Sequence, residues 1–132
     1  MSEDELNKIS ETIIGCAFAV GNALGNGFLE KVYENALALE IGGKYLDVEQ
    51  QYPITVCYKN VVVGEFIADL LIENVILIDL KTVKGIDDIH LAQCLNYLKA
   101  TNLPLCLLIN FGKPRVEVKR VFQSGNLKNV LN

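Results

Sequence analysis

The chain has 132 residues, 51% hydrophobic and 21% charged, with a net charge of −4. That length supports one hydrophobic core and leaves no room for a second. No apolar run approaches the roughly 18 to 20 residues that span a bilayer, and the acidic start Met1-Ser2-Glu3-Asp4-Glu5 does not resemble a signal peptide, so a cytoplasmic protein without membrane contact is expected.

Ser2 with Glu5 three residues on is a capping-box pattern. It precedes a helical period of Ile9, Ile13, Cys16, Ala17, Val20 and Leu24, which should end near Gly21 to Gly25. Gly25-Asn26-Gly27 is a strong break. A second helix is expected from about Phe28 to Ile41, with Leu29, Val32, Ala36 and Leu39 on its apolar face, and Gly42-Gly43 ends it. The period then changes from helical to extended. Tyr52 to Tyr58 reads as a strand, Lys59-Asn60 as a tight turn and Val61 to Ile72 as a longer strand. Glu73-Asn74 is the next turn and Val75 to Lys81 the next strand, giving an antiparallel meander. Asp87-Asp88 offers an N-cap for a third helix over about Ile89 to Thr101, with Leu91, Cys94, Leu95 and Leu98 on its core face. Pro104 to Phe111 reads as a buried strand and Arg115 to Phe122 as an alternating, half-exposed one. The polar tail after Gln123 should fray. The order is α-α-β-β-β-α-β-β, and the helix between the third and fourth strands allows a parallel crossover.

Cys16, Cys57, Cys94 and Cys106 form no CxxC pair and no zinc-ligand spacing. Each lies in an apolar segment, so free buried thiols are expected. The negative net charge argues against a strong non-specific nucleic-acid binder, although Lys113, Arg115, Lys119, Arg120 and Lys128 bunch near the C-terminus.

The chemistry is concentrated in the meander. Phe66-Ile67-Ala68-Asp69-Leu70-Leu71-Ile72 and Val75-Ile76-Leu77-Ile78-Asp79-Leu80-Lys81 read as buried strands that nonetheless carry two carboxylates and an ammonium. Burying such groups costs several kcal/mol unless they pair or bind a metal. A three-residue loop centred near Asn74 sets Asp69 opposite Asp79, with Cβ atoms roughly 4.5 to 5.5 Å apart, where like charges repel. A divalent cation between them reverses that penalty, and oxygen-only ligands suit Mg²⁺ or Mn²⁺. Lys81, two residues on, shares the face of Asp79. Its ammonium could orient a water and steady a phosphate, or serve only as an internal salt bridge. Elsewhere, Glu30 and Tyr33 share a helix face away from Leu29 and Val32, and His90, Gln93 and Tyr97 form a polar stripe opposite the leucines of the third helix. Taken alone, both sets are equally consistent with solvated surface.

Together these pieces resemble the GxxExxY proteins, small bacterial and archaeal members of the PD-(D/E)xK nuclease superfamily. Gly27-x-x-Glu30-x-x-Tyr33 matches the name motif, and Asp69 with Asp79-Leu80-Lys81 occupies the Asp and (Asp/Glu)-x-Lys positions. Gln93-x-x-x-Tyr97 resembles the Gln-x-x-x-Tyr element of RecB-type nucleases, and Leu108-Ile109-Asn110-Phe111-Gly112 the last core strand. The likeness runs from about residue 9 to 122. It implies a restriction-endonuclease-like α/β fold, with a mixed central sheet of about five strands flanked by helices.

The same resemblance implies metal-assisted hydrolysis of DNA that leaves a 5′-phosphate. Asp69, Asp79 and Glu30 would bind Mg²⁺ or Mn²⁺, Lys81 would position water and the scissile phosphate, and Gln93 and Tyr97 would contact substrate or brace the site. Tyr33 and His90 are further substrate-binding or supporting candidates. Two positions depart from the family pattern. Asp79 stands where Glu is commoner, and Gly21 stands near where the first helix often has a His, a role that His90 could fill. A catalytically inactive binding module and a purely structural ion-pair core are the alternative readings. A homodimer through the first helix or the C-terminal strand would suit so small a domain. With no tryptophan and no evident aromatic platform, base-specific recognition is not indicated.

Overall fold

The computed structural model describes residues 1–123 and the backbone of residues 130–131. Helices α1 (Glu3–Leu24) and α2 (Glu30–Gly42) precede strands β1 (Val48–Tyr58), β2 (Val61–Ile72) and β3 (Ile76–Lys81). Helix α3 (Asp88–Thr101) then leads to β4 (Leu105–Asn110), β5 (Glu117–Phe122) and β6 (Val130–Leu131). The strands lie in chain order in one sheet. Only β3 and β4 run parallel, joined by the α3 crossover, while the other pairs are antiparallel. This is the expected mixed sheet with one added short strand. Val130 and Leu131 pair with β5, and the rest of the tail expected to fray lies outside the described residues.

Helices α1 and α2 cover one face of the sheet, where Ile13, Leu37, Ile78, Leu107 and Ile109 are buried together. Helix α3 covers the other, packing Cys94 and Leu98 on Leu77, Cys106 and Leu108. Because both faces are covered, β3 and β4 are apolar without alternation. Ser2 caps α1 as expected, its hydroxyl accepting from the Glu5 amide at 3.1 Å.

Helix α2 buries a stripe that shares only Ala36 with the one expected. Tyr33, Leu37 and Ile41 face the core, while Leu29 and Leu39 are each 80% exposed and Val32 is also exposed. The helix has apolar residues on several sides, so hydrophobicity alone does not orient it. Polar partners do: the Glu34 carboxylate, itself buried, accepts from Lys31 at 3.0 Å, Gln50 at 2.8 Å and Gln51 at 2.7 Å. A buried carboxylate without such donors would be strongly destabilising. Cys57 also departs from expectation. It is exposed, whereas Cys16, Cys94 and Cys106 are buried, and all four are free.

Strands β2 and β3 pair over only three positions, Ile72 with Ile76, Leu71 with Leu77 and Leu70 with Ile78. The next opposed pair would be Asp69 and Asp79, and there the strands part. Inward alternation also breaks at Asp69. Leu70 packs beneath α1 and α2, whereas Ala68, of the same parity, packs with α3. Gln51 on β1, between the pairs Gln50–Leu70 and Tyr52–Ala68, has φ 57°, a left-handed conformation uncommon for a residue other than glycine, and the β1–β2 register shifts further out, between Val56 and Cys57. Beyond Gln51 β1 and β2 continue as a two-stranded arm to the Lys59–Asn60 turn, where both residues have positive φ, as a tight hairpin of this hand requires.

Candidate active site

The fork brings Asp69, Asp79 and Lys81 together. Asp69 Oδ2 accepts from the Leu80 amide at 2.7 Å, satisfying a backbone donor that β2 no longer reaches. Asp79 is buried, and its carboxylate lies 3.6 Å from the Lys81 ammonium. The charge of Asp79 acts on the Asp69 carboxyl. Burial pushes Asp69 up to about 7, reinforced by the charges of Asp79 and Glu30 and opposed by the Leu80 amide. Burial also raises Asp79, against the pull of Lys81.

A polar chain fixes the ammonium. Lys81 Nζ donates to Gln93 Oε1 at 3.1 Å, and Gln93 Nε2 donates to the Tyr97 hydroxyl at 2.9 Å. Gln93 and Tyr97 therefore lie against the site and not on an open polar stripe. Tyr97 is buried, and burial together with the negative charges of Asp79 and Asp69 lifts its phenol to about 12. Cys94, one residue after Gln93, directs its thiol at Asp79 Oδ2 over 3.8 Å. Helical periodicity places Cys94 on a core face, and it carries no information about which atoms that face meets.

The N-terminal motif divides into parts. Gly27 has φ 117°, a conformation that favours glycine. Tyr33 is fully buried, contrary to the expected exposed face, and stacks on Phe111 at 4.6 Å. Its hydroxyl donates to the Gly25 carbonyl at 2.5 Å and accepts from the Phe28 amide at 3.2 Å, which pins the loop before α2. Glu30 then opens α2 within electrostatic range of the fork. Burial raises its carboxyl, Lys81 lowers it and Asp79 raises it. At Gly21 an added Cβ would overlap Val116 Cγ2, so any side chain there would require Val116 to shift.

His90 stands apart from Gln93 and Tyr97. Its Nδ1 accepts from the Asp87 amide at 3.1 Å, while Asp87 Oδ1 accepts from Ile89 at 3.0 Å. The two residues form a reciprocal cap on α3. Asn110 is a buried polar residue in the apolar β4. Its side chain accepts from the Val83 and Gly112 amides and donates to the Val83 carbonyl, clasping the loop that follows Lys81.

Among the described residues, no three His, Cys, Asp or Glu side chains are gathered into a ready metal cluster. Asp69 and Asp79 are adjacent, and Glu30 acts on them through charge. Mg²⁺ is commonly held by one or two carboxylates completed by water and substrate phosphate. The paired, charge-rich aspartates fit such an ion.

A mixed sheet whose central strands part over two carboxylates and a lysine is the architecture of a restriction-endonuclease-like nuclease. The family model for the PD-(D/E)XK nuclease superfamily matches residues 7–121, and the chain belongs to that superfamily. No curated protein and no solved structure matches it.

Proposed function

We propose that the chain is a single-domain, metal-dependent deoxyribonuclease of the GxxExxY group. The observation that carries this reading is the convergence of Asp69, Asp79 and Lys81 where β2 leaves β3. Mg²⁺ or Mn²⁺, held by Asp69 and Asp79 with Glu30 nearby, would supply Lewis acidity toward the phosphate. Lys81 orients the attacking water and neutralises charge on the phosphate oxygens. Asp79 and Gln93 hold the ammonium in place, and Tyr97 holds Gln93. Water adds to phosphorus as the bond to the 3′ oxygen breaks, leaving a 5′-phosphate and a 3′-hydroxyl. Tyr33 and His90 brace the loop before α2 and the start of α3.

Labelled single-stranded, duplex and branched DNA, incubated with Mg²⁺ or Mn²⁺, tests the reading. The native chain should cut at least one substrate, and Lys81→Ala should cut it about 10²-fold or more slowly, the usual cost of losing a positioned charge that acts in the transition state. Undiminished cutting by a folded Lys81→Ala chain would remove the mechanism. A binding module without useful catalysis is the second reading, favoured by the exposed apolar arm of β1 and β2. Such a module need not bind Mn²⁺ at Asp69 and Asp79, so calorimetric titration of Mn²⁺ separates the two. Sedimentation tests the expected homodimer independently.

A further inference from the structure

A groove of about 800 Å³ runs between the β1–β2 arm and the outer side of α3. It adjoins the fork directly. Gln93, which holds Lys81, and Tyr97, which borders the aspartates, both line it. We propose that this groove receives the unpaired bases of a single nucleic-acid strand whose phosphate lies at Asp69 and Asp79. The proposal rests on the nuclease reading for the identity of the phosphate site, and the walls of the groove specify the form of the substrate.

Three features of those walls agree. Phe66 is 47% exposed and Ile89 77% exposed, and the Phe66 ring lies 5.9 Å from that of Tyr97. Together they offer apolar and aromatic surface on which a base can stack. Asn96 places an amide donor and acceptor beside that surface, suited to base edges. Lys99 also lines the groove and holds no ion pair among the described residues. No Asp or Glu among the described residues lines it, although the chain as a whole is acidic. Apolar faces, hydrogen-bonding edges and one backbone charge are what an unpaired strand presents. A duplex keeps its base faces stacked inward, out of reach of such a groove.

Cys57 makes the test direct. It lines the groove and is the exposed member of the four cysteines. With Ca²⁺ in place of Mg²⁺, so that the carboxylates are neutralised without supporting cutting, oligo-dT should protect the Cys57 thiol of the native chain from maleimide. A dT·dA duplex of the same length should not. Phe66→Ala should weaken oligo-dT binding, read by fluorescence anisotropy, by between about five-fold and a hundred-fold, the range for losing one stacked base. Equal protection by duplex, or no protection by either, overturns the proposal. So does protection that grows with protein concentration in the absence of DNA, which would make a second copy the occupant. Cutting of DNA without Cys57 protection would leave the nuclease reading standing and remove the groove. Protection without cutting on any substrate would do the reverse.

Discussion

Strand β3 and the outer half of β2 have similar apolar character and opposite fates. In β3, Ile76, Leu77, Ile78 and Leu80 are fully buried. In β2, Val61, Val62, Val63 and Ile67 are all more than half exposed. The difference lies in what surrounds each strand. Strand β3 has hydrogen-bonded neighbours on both edges and helices on both faces, whereas the arm has one paired edge and α3 near one face. An apolar, β-branched run therefore specifies a strand, but its burial is assigned by the elements that cover it. The candidate site falls at the junction of these two regimes, where burial around β3 perturbs Asp79 and the groove beside the arm opens.

The contrast is sharpest in stability. Leu77→Ala should cost about 2 to 5 kcal/mol, the cost of a cavity in a covered core. Val62→Ala should stay within about 0.5 kcal/mol, as exposed substitutions do. Urea denaturation measures both, and a core-sized loss at Val62 would mean that the arm is covered in solution.

Asp69→Asn probes the junction. The Asp69 carboxyl titrates near 7 in the folded chain against an ordinary 3.8. The folded state thus holds a proton that the unfolded state has released, and that contribution to stability is fully present below about pH 4. It is lost as pH rises through 7. The metal-free Asp69→Asn chain should therefore match the native chain near pH 4 and melt higher at pH 8, by on the order of 5 °C. Added Mn²⁺ should raise the native melting temperature at pH 8 and leave the variant nearly unchanged. A native melting temperature that rises between pH 4 and 7 relative to the variant would contradict the assignment.

The smallest expected effect is at the cap of α3. His90→Ala removes the acceptor of the Asp87 amide and should cost about 1 kcal/mol. A near-zero loss in thermal unfolding would argue against the cap as a stabilising element.

Much of the site was legible because it depends on strand register. The Glu73-Asn74 turn sets Asp69 against Asp79, and two-residue periodicity places Lys81 beside Asp79. Both are local consequences of backbone geometry. The Gly25-Asn26-Gly27 break and the α3 crossover are readable for the same reason. Tyr33 was misplaced because its partners, Phe111 and the Gly25 carbonyl, are brought to it by packing. His90 was grouped with Gln93 and Tyr97 by helical spacing, yet its ring turned to an amide in the preceding turn. No aromatic platform was evident along the chain, because Phe66 and Tyr97 meet only when the arm bends back toward α3.

By itself the sequence determined the elements, their order, the hairpin register and the cluster of charge within apolar strands, since these follow from short-range sterics and periodicity. Tertiary structure alone decided which stripe of α2 is buried, which apolar strand stays open, what holds Lys81 and where a groove meets the site. Those outcomes depend on contacts between segments far apart in the chain, and local periodicity carries no information about them.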